Sequence, residues 1–261
     1  MTQLITASLV ITYLIASSVI AYLLFDRFAW RGRASWILIG VSFMILAVVL
    51  QAIVQGIPTL IIVLTHMGNA LTNPESIINV VQGFVKSNIY WLAIYMGLMA
   101  GVFQESFRYL AIKNRELKAA LYIGYGFALI DIAFAAISAL SSLFITMPME
   151  LNVQQYVAAS IVGLILQPVI SFTFHPGASM IIRHYQSVGR GLLGLSLMIL
   201  AHTYIDSFTW YLDNAVALGL IGSGLLAPLS AVFFITVVAI SILILIVGFR
   251  ITSTMGITVP S

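Results

Sequence analysis

Long unbroken runs of apolar residues, separated by short polar gaps, fill most of the chain. A run of about 20 apolar residues is what a helix needs to cross the hydrocarbon core of a bilayer, and hydropathy predicts about seven such spans here. They cover Leu4 to Phe25, Ser35 to Leu64, Ile89 to Ile112, Ala119 to Ile145, Tyr156 to Ile182, Leu192 to Leu212 and Leu225 to Phe249. The expected fold is all-α, a polytopic membrane helix bundle making one integral membrane domain over residues 1–261. The first run has no basic residue before it and several after it, the reverse of a secretory signal, and reads as a retained span.

Two stretches depart from this simple pattern. The second run would be about 45 Å long as one helix, too long for a hydrocarbon core of about 30 Å, and Gly56 and Pro58 predict a kink within it. The segment TNPESIINVVQGFVK then places Asn73 as a cap, Pro74 at the first helical position and Glu75 in the first turn. Ile77, Ile78, Val81, Phe84 and Val85 share one face, so this segment predicts a short helix lying on the outer membrane surface.

Charge orients the bundle. Arg27, Arg31 and Arg33 follow the first span, Lys113, Arg115 and Lys118 the third, Arg183 and Arg190 the fifth, and Arg250 the seventh. The opposite loops hold only Lys86, so the positive-inside rule predicts an outside N-terminus and a cytoplasmic C-terminus. Composition agrees with a membrane class: 61% of residues are hydrophobic and 7% are charged, too few to cover a water-soluble globule. The net charge of +3 is used in setting orientation, and no nucleic-acid partner is implied. The absence of cysteine excludes disulfides, thiol nucleophiles and cysteine-ligated metals. A multi-pass protein of the cell membrane is the expectation.

Each ionisable group in hydrocarbon costs several kcal/mol unless it is paired or faces a watery cavity, so the few inside the spans are the candidates for function. Glu105 and Arg108 lie in the third span, Asp131 in the fourth, His175 in the fifth, and His202 and Asp206 in the sixth. At 1.5 Å per residue Glu105 and His175 lie about 12 Å from the basic ends of their spans, and His202 about 15 to 18 Å from its own. Three spans therefore bring acid and imidazole groups to similar depth, expected to open toward the cytoplasmic leaflet. His202 and Asp206 are four residues apart on one helix face, and Glu105 and Arg108 are three apart. Each feature also has a plainer reading. Glu105 with Arg108 reads as a structural ion pair near a helix end, His175 as a hydrogen-bonding group at a kink in HPGAS, and Asp131 as a cap or bridge between helices.

These residues resemble a known family. GVFQESFRYLAIK, followed by ALYIGYGFALID, is similar to the opening of the YhfC family of intramembrane endopeptidases, relatives of the CAAX prenyl endopeptidases, the bacteriocin-processing proteases and PrsW. Glu105 and Arg108 match that family's acidic motif; Gly124, Gly126 and Asp131 match the frame of its glycine-flanked second motif; His175 matches the third motif; His202 with Asp206 matches the fourth. The resemblance covers about Gly101 to Phe208, within a protease-like core of about residues 89–212. The chain departs from the pattern at Gln104, at Phe127 where the family has a histidine, and at Gln167 and Pro168 where it has a Glu-Arg pair.

The resemblance implies a glutamic-type endopeptidase cleaving membrane-embedded or membrane-proximal segments of a membrane protein or lipidated peptide. Glu105 would activate water, with His175, His202 and Asp206 assisting and Arg108 as charge partner. A cofactor is not required in this scheme. The metal-dependent alternative places zinc on His175, His202 and either Asp206 or Glu105, ranked lower because no HExxH helix is present. A catalytically inactive homologue acting as a membrane scaffold or complex subunit is the other reading, and a transporter a weaker one, since no duplicated halves are visible.

Overall fold

The computed structural model describes residues 2–29, 31–68, 73–144 and 153–253. These residues form helices α1 (Thr2–Phe28), α2 (Ala34–Gln55), α3 (Ile57–Thr65), α4 (Pro74–Ser87), α5 (Ile89–Ile112), α6 (Leu117–Phe144), α7 (Val153–Ser187), α8 (Gly191–Ala217) and α9 (Ser223–Ser253). No strand occurs among them. Six helical stretches are long and apolar enough to cross a membrane: Leu4–Phe28, Ala34–Thr65, Leu117–Ser141, Ile161–Ser187, Gly191–Ala217 and Gly224–Ile251. The chain is thus a multi-pass membrane helical bundle. The remaining helix predicted as a span, α5, falls short of that measure. It carries Tyr90, Trp91 and Tyr95 in one half and Gln104, Glu105 and Arg108 in the other.

Four helices surround the polar residues. α5 packs on α8, α8 on α7 and α7 on α6, while α2 bridges α5 and α6; α9 lies against α7 and α1 against α6. Small residues make these approaches possible. A Cβ on Gly101 of α5 would stand 2.8 Å from both the Ile199 carbonyl and Thr203 Oγ1 of α8, and Gly97 meets the same face one turn earlier. On α6, Gly124 faces α7, where a Cβ would lie 2.6 Å from Pro176 Cα and from Ser179 Oγ. Gly126 faces α2, 2.9 Å from Gly40 Cα by the same measure. The two glycines of the GxG frame therefore seat α6 against different neighbours.

The long second run breaks where expected, with α2 ending at Gln55 and α3 beginning at Ile57. Pro58 lacks the N–H that would bond the Val54 carbonyl. Tyr95 Oη of α5 donates to that carbonyl instead, at 2.6 Å, and Gln55 Nε2 donates to the Met96 carbonyl at 2.7 Å. Asn73 occupies the cap position of α4 without a side-chain cap bond; its carbonyl accepts from Ser76 Oγ at 2.7 Å. HPGAS lies within one helix, since α7 continues through both Pro168 and Pro176.

Candidate functional site: a buried charge cluster with two aspartates at its margin

Arg108 is the hub. It and Glu105 are completely buried, and each of its five N–H donors has an acceptor. Nε donates to Glu105 Oε2 at 2.8 Å and Nη2 to Glu105 Oε1 at 3.1 Å, a bidentate pair. Nη1 donates to the His175 carbonyl at 2.6 Å and to Ser179 Oγ at 3.1 Å, and Nη2 also contacts His175 Nδ1 at 2.5 Å. The ring of Phe127 lies against the guanidinium, 4.6 Å from Cζ to the centroid. The position where the resembled family has a histidine thus carries an aromatic face stacked on the hub.

These contacts assign the protons. Arginine offers donors only, so His175 Nδ1 accepts and that ring carries its hydrogen on Nε2. Nε2 points toward Asp131 Oδ2, 3.5 Å away. His202 lies on the other side of the hub, its Nδ1 2.7 Å from Glu105 Oε1. With that carboxylate already paired to Arg108, Nδ1 of His202 is the donor. Its Nε2 faces Asp206 Oδ2 at 3.5 Å. The two imidazoles stand side by side, 5.8 Å between centroids at 67°, with Phe174 edge-on to both.

All the sequence-predicted site residues converge. Glu105, Arg108, His175 and His202 form the buried centre, and Asp131 and Asp206 stand at its margin, 33% and 34% of their side chains open. Asp131, expected as a cap or bridge, bridges α6 to α7. Its Oδ2 accepts from Gln167 Nε2 at 2.9 Å and from Ser171 Oγ. Gln104 faces away from the centre and donates to Gln51 Oε1 of α2 at 2.9 Å.

Toward the basic helix ends the cluster is capped by Ala111, Ile112, Ala120, Leu121, Ala178 and Ile182, all within 0% exposure. Asp131 and Asp206 lie at the opposite side, about 21 Å and about 22 Å along their helices from those ends. The two partly open carboxylates therefore lie on the side of the cluster away from the basic helix ends, where small and aliphatic side chains bury it.

Sequence reasoning missed Ser171 and Ser179. A signal was present: Gln167, Ser171, His175 and Ser179 recur every four residues and make one polar stripe along an otherwise apolar α7. Zinc fits poorly. His175 could ligate through Nε2 only by moving its proton to Nδ1, which would set an N–H against Arg108. Among the described residues no group of three His, Asp or Glu side chains is arranged to hold a metal ion. Compared with known proteins, the chain matches no family model, no curated protein and no solved structure.

Proposed function

We propose that this chain is an intramembrane endopeptidase in which His202, not Glu105, contacts the attacking water. The observation that carries this reading is the bond from His202 Nδ1 to Glu105 Oε1, which leaves Nε2 directed toward partly open Asp206. Glu105 itself has both oxygens engaged and no exposed surface, so it acts by orienting the imidazole and stabilising it once protonated.

The steps balance without another reactant. Water between Nε2 and Asp206 gives a proton to Nε2 as its oxygen bonds to the scissile carbonyl carbon. The Nε2–H of His175, directed toward partly open Asp131, donates to the oxyanion. As the carbon–nitrogen bond breaks, the His202 imidazolium returns its proton to the leaving amine. Arg108 fixes both imidazoles and touches no substrate. The resemblance to the YhfC family supports this reading at Glu105, Arg108, His175, His202 and Asp206.

In the same reading α5 is the seventh span, since it lies between α2 and α8, both apolar enough to cross. The basic helix ends are cytoplasmic, the N-terminus is outside, and the protein resides in the cell membrane. Substrate is a membrane-embedded peptide segment. The second reading is an inactive scaffold that binds membrane helices. It is favoured by Phe127, whose ring covers the guanidinium where the family pattern has a titratable histidine. Hydrolysis of a membrane-spanning reporter in heavy-oxygen water separates the two. An endopeptidase places one labelled oxygen in the new carboxyl group, whereas a scaffold binds the reporter and leaves it intact.

A further inference from the structure

Away from the charge cluster, α1 and α6 leave a groove of about 460 Å³ between them. Leu14 and Ile132 make its buried floor, while Ile15 and Val19 form an exposed rim on α1, so the groove opens sideways on the bundle surface. Ala133 and Ala136 line it on α6, where larger side chains would fill the space. Two tyrosines hold α1 at this spacing. Tyr125 Oη donates to the Ser18 carbonyl at 2.8 Å, and Tyr13 Oη donates to the Ile165 carbonyl of α7 at 2.5 Å. The groove runs about 16 Å along α1 from Ile11 to Tyr22, which makes it about 6 Å across. Carbon atoms in contact stand about 4 Å apart, so one hydrocarbon chain fits. A peptide helix, about 10–12 Å across, does not.

The end of the groove toward the basic helix ends is polar. Tyr22 lines it there, 6.0 Å between ring centroids from both Tyr122 and Tyr125, and its hydroxyl has no hydrogen-bond partner among the described residues. About 9 Å further along, α1 gives way to the segment that carries Arg27, Arg31 and Arg33. All three are exposed and form no salt bridge among the described residues, Arg33 resting on the Trp36 ring. Asp26 beside them is engaged by the Gly32 N–H.

We propose that this groove binds one acyl chain of an anionic glycerophospholipid, with an ester carbonyl at the Tyr22 hydroxyl and the phosphate beside Arg27, Arg31 and Arg33. Width selects a single chain over a helix, and an acyl chain restores the van der Waals contacts that the floor of an empty groove lacks. An ester oxygen supplies the acceptor that the phenol has not found within the protein, at a depth where tyrosines meet the membrane interface. The unpaired guanidinium groups favour a negative headgroup over a zwitterionic one. This lipid site goes beyond the endopeptidase reading, needs no hydrolysis, and holds for an enzyme and a scaffold alike.

The test uses full-length protein in nanodiscs of phosphatidylcholine, doped with either phosphatidylglycerol or phosphatidylcholine carrying a photoactivatable diazirine halfway along one acyl chain. After irradiation, peptide mapping should place the label on α1 and α6 at the groove. The phosphatidylglycerol probe should label it about fivefold more than the phosphatidylcholine probe, the worth of one arginine near an anionic headgroup. Ala133→Leu combined with Ala136→Leu fills the groove and should remove that label, whereas Ala16→Leu, at an exposed position of α1 outside the groove, should leave it. Changing Arg27, Arg31 and Arg33 together to Gln leaves the groove itself intact and should bring the ratio of the two probes toward one, so the proposal stays open to disproof if the filled variant misfolds. Label spread evenly over the lipid-facing helices, equal labelling by the two probes in the native protein, or groove labelling unchanged in the filled variant overturns the proposal. Crosslinking of a second copy of the chain at the groove, in place of lipid, overturns it as well.

Discussion

His202 Nδ1 stands 2.7 Å from Glu105 Oε1, joining α8 to α5 at the one carboxylate that Arg108 already holds through two bonds. Both oxygens of the acid are thus engaged, and the far nitrogen of the imidazole faces partly open Asp206. This changes which substitutions should be lethal to folding and which to chemistry.

Removing Arg108 should damage the bundle before it affects any reaction. Arg108→Met leaves Glu105 buried with only the His202 bond in place of its bidentate partner, a loss of about 3–5 kcal/mol for a broken buried pair. Adding Glu105→Gln to that variant should recover part of the loss, because the orphaned charge is gone. Thermal unfolding of the two single variants and the double variant checks this, and strict additivity would contradict the pairing.

Gly101 sets the distance between α5 and α8. Gly101→Ala puts a methyl 2.8 Å from the Ile199 carbonyl and should cost about 1–3 kcal/mol, with lower activity as Glu105 and His202 separate. Gly83 on α4 meets no heavy atom within 4 Å, so Gly83→Ala should be neutral or slightly stabilising. Unfolding temperatures of the two variants distinguish them.

Pro58 and Tyr95 form a linked pair. Tyr95→Phe removes the donor on the Val54 carbonyl and should cost about 1 kcal/mol. In a Pro58→Ala background the restored backbone N–H can serve that carbonyl, so the same change should cost less. Equal costs in both backgrounds would show that the hydroxyl does not replace the missing bond.

What the sequence made legible was local or costly. The break at Gly56 and Pro58 could be read because proline removes a backbone donor wherever it stands. Glu105, Arg108, His175, His202 and Asp206 could be read because charge in hydrocarbon needs a partner, and their depths agreed. Three features were hidden. The Gln104 to Gln51 bond joins two uncharged side chains 53 positions apart, and periodicity carries no information on such a pair. The burial of the cluster toward the basic helix ends depends on where Ala111, Ile112 and Leu121 pack, which depth along a helix does not reveal. The role of Glu105 turned on which atoms Arg108 and His202 occupy, a matter of rotamers in the assembled bundle.

Orientation is open to direct labelling, because the chain has no cysteine and any introduced thiol is the only one. An impermeant maleimide should label Ser76→Cys on α4 in intact cells and Lys118→Cys on α6 only after permeabilisation. The opposite pattern would invert the proposed topology.

The most direct measurement is cleavage of a membrane-spanning reporter by native protein, His202→Ala and Glu105→Gln, each reconstituted in liposomes. The account predicts cleavage by the native protein, and a fall of at least about 100-fold in both variants with the His202→Ala bundle still folded. Cleavage that persists in His202→Ala at the native rate would contradict it.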